Sequence, residues 1–377
     1  MLQSAKKFRI GRPQIFAGLM LLGFLAQCLW LAGSRPLSDT EIQYITSKNS
    51  PELRPVYRAN SPFTVWVAAG MQQVIAAVRS MAPGSLREAL VIPRPWLIRA
   101  PFAVFGIWLG GALWWVARRL FDDAGGYMAL ALYCTSPAMV MISSNVGPEI
   151  LLAWSTFGLI YTAIGVAHTL YAPPRKWIPR VVILGLAIGF SLSTALWSLT
   201  LVVTALAFML YLAPGRRRAA VTVMLGASLV ALVVAGYLIW WAGASPDNLR
   251  SWLHPQVTPE WMLHFWFVLE DGYIITGFLI AALVVYASWP RARYFGNTAP
   301  LLTAFVAVLV FALIPSIHVW ETTLGLSFIF VFIGGVASDL LETPSGQATG
   351  AIFFAGILLR FILSIRTLSH WIHQNIV

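Results

Sequence analysis

Eleven apolar runs, each near the length that crosses a lipid bilayer, dominate this sequence of 377 residues. A spanning helix needs about 20 consecutive apolar residues, whereas a β-barrel strand needs only about ten of alternating polarity. The runs are residues 15–33, 99–117, 125–143, 149–170, 180–195, 197–213, 219–242, 272–289, 298–315, 323–338 and 347–364. Continuous runs of this length predict an all-α, polytopic transmembrane helix bundle with about eleven spans, in one domain over residues 1–377.

Composition supports a membrane protein and excludes other classes. Hydrophobic residues make up 59% of the chain and charged residues only 10%, far below the roughly 25% of soluble proteins. The net charge is +11, but the basic residues form short clusters between apolar runs, as in cytoplasmic loops. This pattern predicts no nucleic-acid partner. Cys28 and Cys134 lie inside apolar runs, which indicates small core residues and no redox chemistry.

The orientation depends on residues 62–82, where Gln72, Gln73 and Arg79 interrupt an apolar stretch at helical spacing. This pattern favours an amphipathic helix lying at the membrane interface. With that placement, the basic clusters at 118–119, 175–180, 216–218 and 291–293 share a side with the basic N-terminus. We therefore expect an integral protein of the bacterial inner (plasma) membrane with a cytoplasmic N-terminus. Residues 34–98 form the first extracytoplasmic segment, and residues 243–271 form a later one.

Acidic residues concentrate in the predicted outer segments, and three of them are candidates for chemistry. Asp39 and Glu41 follow the first span in PLSDTEIQY, and Glu149 opens a long apolar helix in GPEILLAWSTF. A structural explanation is available for each: Ser38 or Asp39 can cap a helix, and acids in a first turn complement the helix dipole. The functional alternative is that the carboxylates converge on one cavity. One would act as general base, and the other would hold a divalent cation or position an acceptor.

Several motifs occur in an order that resembles the GT-C superfamily of membrane glycosyltransferases. They are the acidic motif after the first span, a surface helix opening with Pro62, the stretch from Arg99 to Phe157, and the late VFALIPSIHVWETTLGLSFIFVFIGGVASDLL. The nearest relatives by this pattern are the dolichyl-phosphate-mannose protein mannosyltransferases and the bacterial aminoarabinose transferases. The resemblance covers nearly the whole chain and implies a GT-C-like bundle with an interfacial helix in the first outer loop. It also suggests a shortened form without a C-terminal extracytoplasmic domain, since the chain ends at Val377 just after its last helix.

The resemblance also assigns site residues, with departures. The family carries a D-E-A-x-Y-like motif in the first outer loop, whose Asp supplies the catalytic base. Glu41 and Tyr44 match the Glu and Tyr, but Thr40 occupies the Asp position, with Asp39 one step earlier. Either Asp39 has taken over through a local shift or the base is lost. An acid at the position of Glu149 lies in the same cavity in the family.

The implied activity is inverting glycosyl transfer from a polyprenyl-phosphate-linked sugar to an extracytoplasmic acceptor. Asp39, Glu41 and Glu149 would be the catalytic residues, with membrane lipids and the lipid-linked donor as partners. The residues expected to bind the substrate or the lipid phosphate are Tyr44, Arg54, Arg58, Arg94 and His318. No Gly-rich GxxxxGK[ST] loop is present, as expected for a donor that is not a nucleotide. His254 and His264 have no recognised metal-ligand spacing, so no metal site is assigned.

Two other classes compete with the enzyme. A non-catalytic GT-C-like membrane subunit, which binds lipid or scaffolds partner subunits of a larger complex, is favoured by Thr40 and by Asn60, where many relatives carry His or Glu. A secondary transporter would need ionisable residues near the middle of the membrane. His168, near an inner helix end, is poor support for that class.

Overall fold

The computed structural model describes residues 11–46, 61–81, 94–173, 177–242, 272–313 and 323–374. These ranges contain thirteen α-helices and no β-strand. The helices are α1 (Arg12–Ser34), α2 (Asp39–Thr46), α3 (Pro62–Met81), α4 (Pro95–Cys134), α5 (Pro137–Ser143), α6 (Glu149–Thr169), α7 (Ile178–Thr194), α8 (Leu199–Leu212), α9 (Arg217–Ala242), α10 (Gly272–Ser288), α11 (Phe295–Leu313), α12 (Leu324–Leu341) and α13 (Gly346–Gln374).

Within the described residues, each of the eleven apolar runs lies mostly on helix, so the predicted all-α membrane class is confirmed. Six helices among the described residues are long and apolar enough to cross a membrane: α1, α4, α6, α9, α12 and α13. The apolar helices α7, α8, α10 and α11 are shorter by the same measure. The number of eleven spans therefore stays a prediction. The interfacial candidate α3 is 20 residues long but is not among the six, in keeping with a helix lying at the interface.

The runs 99–117 and 125–143 are joined through α4, whose helical geometry is interrupted at Phe121 and Asp122. Asp122 has φ of 67°, the only positive φ of a non-glycine residue in the described ranges. Asp tolerates this region better than most side chains. The two segments of α4 run back along each other, since the Tyr133 hydroxyl donates to the Gly106 carbonyl at 2.7 Å. The helix α4 is therefore a helical hairpin, and Arg99 and Phe121 lie near the opposite ends of its first segment.

The second segment of α4 ends just before Ser136 and Pro137, which begin the helix α5. Pro137 cannot donate a backbone hydrogen bond, and the preceding Ser136 hydroxyl accepts one from the Met139 amide at 3.2 Å. Proline in the first turn and serine at the N-cap together begin a helix. The predicted run 125–143 is thus divided into the end of α4 and the short α5.

The helix α12 forms the centre of the bundle. Every residue from Leu324 to Ser338 is buried, and α12 packs against both segments of α4 and against α6, α10 and α11. The helices α9 and α13 lie at the periphery and expose large apolar side chains such as Leu232 and Phe354. A surface of this kind suits contact with lipid. We call the end of the bundle that carries α2 the α2 end.

Candidate active site

The helix α2 begins with a capping box. The Ser38 hydroxyl accepts a hydrogen bond from the Glu41 amide at 3.3 Å, and the Glu41 carboxylate accepts one from the Ser38 amide at 2.9 Å. This reciprocal pair satisfies two backbone donors at the start of α2. It fixes the helical phase of α2 so that Glu41 points inwards and is 3% exposed, whereas Asp39 and Thr40 are exposed. Successive residues of a helix are rotated by about 100°, so the three side chains cannot share one face.

The Glu41 carboxylate is held by a buried arginine. Arg99 Nε donates to Glu41 Oε1 at 2.7 Å, and Arg99 Nη2 donates to Glu41 Oε2 at 2.6 Å. The Val146 amide donates to Glu41 Oε1 at 3.0 Å. This parallel two-bond pairing is the strong geometry for arginine and carboxylate. It connects α2, the start of α4 and the loop before α6.

Arg99 uses its whole guanidinium at this position. Besides Glu41, its nitrogens donate to the carbonyls of Ala32 at 2.7 Å, Arg35 at 3.0 Å and Pro36 at 2.8 Å. These carbonyls end α1 or follow it directly. Arginine has five N–H donors, and all five find acceptors here. A fully buried charge is tolerable because the ion pair and the helix end satisfy it completely.

The surroundings of Glu41 shift its protonation equilibrium. Burial raises the pKa of the Glu41 carboxyl, but the hydrogen bonds and charge of Arg99, with the Ser38 and Val146 amides, outweigh burial and lower that pKa below its usual value. A carboxylate with a depressed pKa is a weak base and would have to break several hydrogen bonds to accept a proton. Glu41 therefore suits a positioning role better than proton transfer.

A second arginine, Arg35, contacts the last helix, α13, at the α2 end. Arg35 donates to the Asn145 side-chain oxygen, and its guanidinium carbon lies 3.8 Å from the centre of the Trp371 ring of α13. Burial, together with the charge of Arg99, lowers the pKa of Arg35 to about 10, although Glu41 acts in the opposite direction. Arg35 stays charged at neutral pH and stacks on the aromatic face. The loop 144–148 is thus bound both by Glu41 and by Arg35.

Glu149 lies at the end of that loop and opens α6. Its carboxylate folds back over Gly147 so closely that any side chain at 147 would collide with it. It is near enough to Glu41 for the two negative charges to interact. Within the described ranges, none of the three ion pairs includes Glu149. Glu149 is therefore a half-buried residue outside the ion pairs, next to the fully bonded carboxylate of Glu41.

The remaining predicted residues divide into two groups. Tyr44 is half-buried and packs against the core, and Arg94 is exposed at the residue before α4. Arg54, Arg58 and His318 lie outside the described residues, as do Asn60, His254 and His264. The structure thus brings Glu41 and Glu149 together. Asp39 lies at the same end on the exposed side of α2.

Comparison with known proteins agrees with this architecture. The family model described as dolichyl-phosphate-mannose-protein mannosyltransferase matches residues 88–241. The structure of ArnT from Cupriavidus metallidurans superposes with a TM-score of 0.63 at 15% identity, covering 90% of this chain and 62% of that one. An Archaeoglobus fulgidus oligosaccharyltransferase gives 0.56 at 12% identity, covering 94% and 56%.

The chain has a GT-C fold. The resemblance predicted from the motif order is thereby confirmed at the level of the superfamily fold. The ArnT structure bound to undecaprenyl phosphate also matches, with a TM-score of 0.63 at 14% identity, 90% coverage of this chain and 63% of that one. The chain therefore spans a little under two thirds of the ArnT length. No curated protein matches at the sequence level.

No group of three or more His, Cys, Asp or Glu side chains lies together in the described ranges. Hard divalent cations need several oxygen ligands, and the Glu41 oxygens already accept hydrogen bonds from Arg99, Ser38 and Val146.

Sequence reasoning missed the partners of these acids. Arg99 was named only as the start of the stretch that resembles the GT-C superfamily, although a charge at the first position of an apolar run needs a nearby counter-charge. The S-x-x-E spacing of Ser38 and Glu41 is the sequence signature of a capping box and would have fixed which face of α2 is buried. Arg35 and Asn145 gave no local signal, because their pairing spans 110 residues.

Proposed function

We propose that this GT-C chain transfers a sugar from a polyprenyl-phosphate donor to an acceptor on the extracytoplasmic side, with inversion at the anomeric carbon. The main observation behind the proposal is that two carboxylates at the α2 end differ in their contacts. Glu149 has no ion pair among the described residues, whereas Glu41 forms an ion pair with Arg99 and accepts the Val146 amide. The fold shared with ArnT supports it. Of the matched structures, one ArnT crystal contains undecaprenyl phosphate and one archaeal oligosaccharyltransferase contains dolichol phosphate.

In this proposal Glu41 is a positioning residue. Its Oε1 accepts the Val146 amide, three residues before Glu149, and its other contacts fix α2 against the starts of α4 and α6. Glu149 would then face the reacting groups with its backbone anchored. A catalytic group must be held within a fraction of an ångström to be effective, and a bound second shell provides that restraint.

Glu149 is the general base in the proposed reaction. Its carboxylate takes the proton of the acceptor hydroxyl as the oxygen attacks the anomeric carbon from the face opposite the lipid phosphate. The bond between the anomeric carbon and the phosphate oxygen breaks, and polyprenyl phosphate leaves as an anion. Arg94, exposed before α4, together with Arg54, Arg58 and His318, is proposed to bind that phosphate, with Tyr44 at the same end. Arginine is well suited to phosphate oxygens.

Asp39 is the second candidate base. Its side chain is exposed on the face of α2 that points away from Glu41, where an acceptor could approach from outside. An exposed aspartate lacks the fixed surroundings of Glu149, so we place it second.

The test uses the purified full chain with a panel of polyprenyl-phosphate sugars and a small-molecule acceptor panel. Glu149→Gln should lower turnover at least about 100-fold, since general-base catalysis contributes on the order of 10² to 10⁴. Asp39→Asn should retain most of it. Glu342→Gln is the matched control, because that exposed carboxylate lies in an ion pair at the opposite end. Turnover that persists in Glu149→Gln and is lost in Asp39→Asn would transfer the role of base to Asp39.

A specific observation also favours the non-catalytic alternative. Thr40 occupies the position of the family's aspartate and is exposed, and the neighbouring Glu41 is fully occupied by hydrogen bonds. A GT-C-like subunit that binds lipid or scaffolds partner subunits would have these properties. It predicts no transfer with any donor, while assembly with partners is unaffected by Glu149→Gln.

A further inference from the structure

A lateral groove of about 900 Å³ opens between the first segment of α4 and the helices α6 and α7. Its walls are apolar over most of their length and include Trp115, Val116, Phe157, Ile164 and Ile183. The volume lies at the upper end of the roughly 300–1,000 Å³ typical of small-molecule sites. The groove begins more than a dozen residues along α4 from Arg99, towards the end opposite α2.

One end of the groove is basic. Arg119 lies just before the break in α4, His168 lies in the last turn of α6, and Arg180 lies in the first turn of α7, so all three line the groove at the same end of the bundle. None of the described residues that line the groove carries a carboxylate, and none of the three ion pairs found among them or elsewhere in the described ranges includes Arg119 or Arg180. Arg119 lies 5.6 Å from the Trp115 ring, and Arg180 donates to the Gly165 carbonyl at 3.3 Å.

The adjacent Arg118 shows that this arrangement is specific to one face of α4. Arg118 pairs with the Asp123 carboxylate and lies 5.2 Å from the Trp114 ring. Arg118 and Arg119 each contact the tryptophan four residues earlier, but only Arg118 pairs with a carboxylate. The charge of Arg118 is neutralised by the protein, and the charge of Arg119 is directed to the groove without a carboxylate.

An apolar groove that runs between helices of a membrane bundle and ends in cations matches the form of an anionic lipid. Hydrocarbon chains would fill the apolar walls, and a phosphate at the membrane surface would meet the guanidinium groups. A free phosphate would leave the apolar part empty. A zwitterionic lipid would place a second positive charge near the arginines.

We propose that this groove binds one anionic diacyl phospholipid, with its phosphate on Arg119 and Arg180. The site is separate from the proposed donor site. Arg99 and Arg119 are 20 residues apart along one helical segment, about 30 Å at 1.5 Å per residue. One headgroup cannot reach both. Under the predicted topology the groove faces the cytoplasmic leaflet.

The experiment is native mass spectrometry of the full chain in detergent, titrated separately with dioleoyl-phosphatidylglycerol, dioleoyl-phosphatidylcholine and undecaprenyl phosphate. Phosphatidylglycerol should give a one-lipid adduct at the lowest concentration. The double variant Arg119→Gln/Arg180→Gln should weaken its binding roughly thirtyfold, the change that corresponds to about 1 kcal/mol for each basic side chain. Arg118→Gln, the matched control, should leave it unchanged.

A second variant tests the groove without changing charge. A Cβ at Gly165 would meet no other atom within 4 Å, so Gly165→Leu should fold and fill the groove. It should abolish the phosphatidylglycerol adduct. Gly18→Leu, at an equally open position on α1, should not. Equal binding of phosphatidylcholine, equal loss in Arg118→Gln, or preferential binding of undecaprenyl phosphate that the double variant removes would each overturn the proposal.

Discussion

The two ends of the bundle carry polar clusters of opposite character. At the α2 end, Glu41 and Arg99 are buried, and each N–H donor of the Arg99 guanidinium has an acceptor. At the opposite end, Arg291 and Glu342 pair while 58% and 55% exposed. Nearby, Asp339 accepts hydrogen bonds from Asn297 at 3.0 Å and Tyr294 at 3.4 Å. The α2 end is built to hold loops in one geometry, whereas the other end turns helices back at the membrane surface.

The difference shows how burial sets the importance of an ion pair. An exposed pair gains little because water screens it and its side chains lose conformational freedom. A buried pair need not stabilise more than an apolar replacement, but removing one partner leaves a charge without water or counter-charge. The α2 end should therefore be sensitive to single substitutions and the opposite end tolerant.

The largest effect is expected for Arg99→Met. It would leave the Glu41 carboxylate buried without a counter-charge and free the carbonyls at the end of α1, so we expect a loss of about 3–5 kcal/mol in stability. The measurement is the thermal unfolding midpoint of the purified protein in one detergent. Met keeps a long apolar side chain, which limits the contribution of lost packing. A midpoint close to that of wild type would show that the pair does not hold the α2 end.

An intermediate effect is expected at Gly335 of α12, near the opposite end. A Cβ there would collide with the Asn297 side-chain oxygen and, at 2.6 Å, with the Phe121 ring. Gly335→Ala should destabilise by about 1–3 kcal/mol through overpacking. Gly325→Ala on the same helix is the control, because its added Cβ would meet no other atom within 4 Å. Equal unfolding midpoints for the two variants would contradict this packing.

The pH dependence of stability should reveal the buried carboxylate of the α2 end. The folded state lowers the pKa of Glu41 below its ordinary value of 4.5. Its stabilisation is therefore complete above the unfolded pKa and is lost as pH falls through the lower, folded pKa. Between pH 7 and pH 3, wild type should lose more stability than Glu41→Gln does over the same range. Parallel curves for the two proteins would show that Glu41 does not titrate with folding.

The smallest effect is expected for Arg291→Gln. Both partners of its ion pair are more than half exposed, and such pairs contribute about 0–1 kcal/mol. The unfolding midpoint should be almost unchanged and should respond weakly to added salt. A loss as large as that of Arg99→Met would remove the contrast between the two ends.

Much of the fold could be predicted because lipid imposes a simple rule on sequence. Each apolar run is mostly helical over its described residues, since the backbone of a buried span must satisfy its own hydrogen bonds. The two segments of α4 were predicted as separate spans, residues 99–117 and 125–143, with the basic pair 118–119 between them. The geometry of the turn could not be predicted, because it depends on the positive φ of Asp122 and on the Ser338 hydroxyl, which donates to the Phe121 carbonyl at 2.8 Å. That contact joins residues 217 positions apart.

The candidate site could be predicted in part. Glu149 was chosen because charge is costly at the edge of the hydrocarbon layer, and Asp39 and Glu41 were chosen because their motif resembles that of the GT-C superfamily. The three do lie at one end of the bundle. The different roles proposed for the three acids could not be predicted from the sequence. They depend on the hydrogen bond from Arg99 to Glu41, which joins residues 58 positions apart. The phase of α2 decides the rest, because it exposes Asp39 and Thr40 while it buries Glu41.

The central claim is that Glu149 acts on the substrate while Glu41 holds the site in place. The most direct measurement compares turnover with a polyprenyl-phosphate sugar and the unfolding midpoint in Glu149→Gln and Glu41→Gln. The account predicts that Glu149→Gln loses turnover at an unchanged midpoint, whereas Glu41→Gln lowers the midpoint. Full turnover in Glu149→Gln, or loss of turnover in Glu41→Gln at an unchanged midpoint, would contradict it.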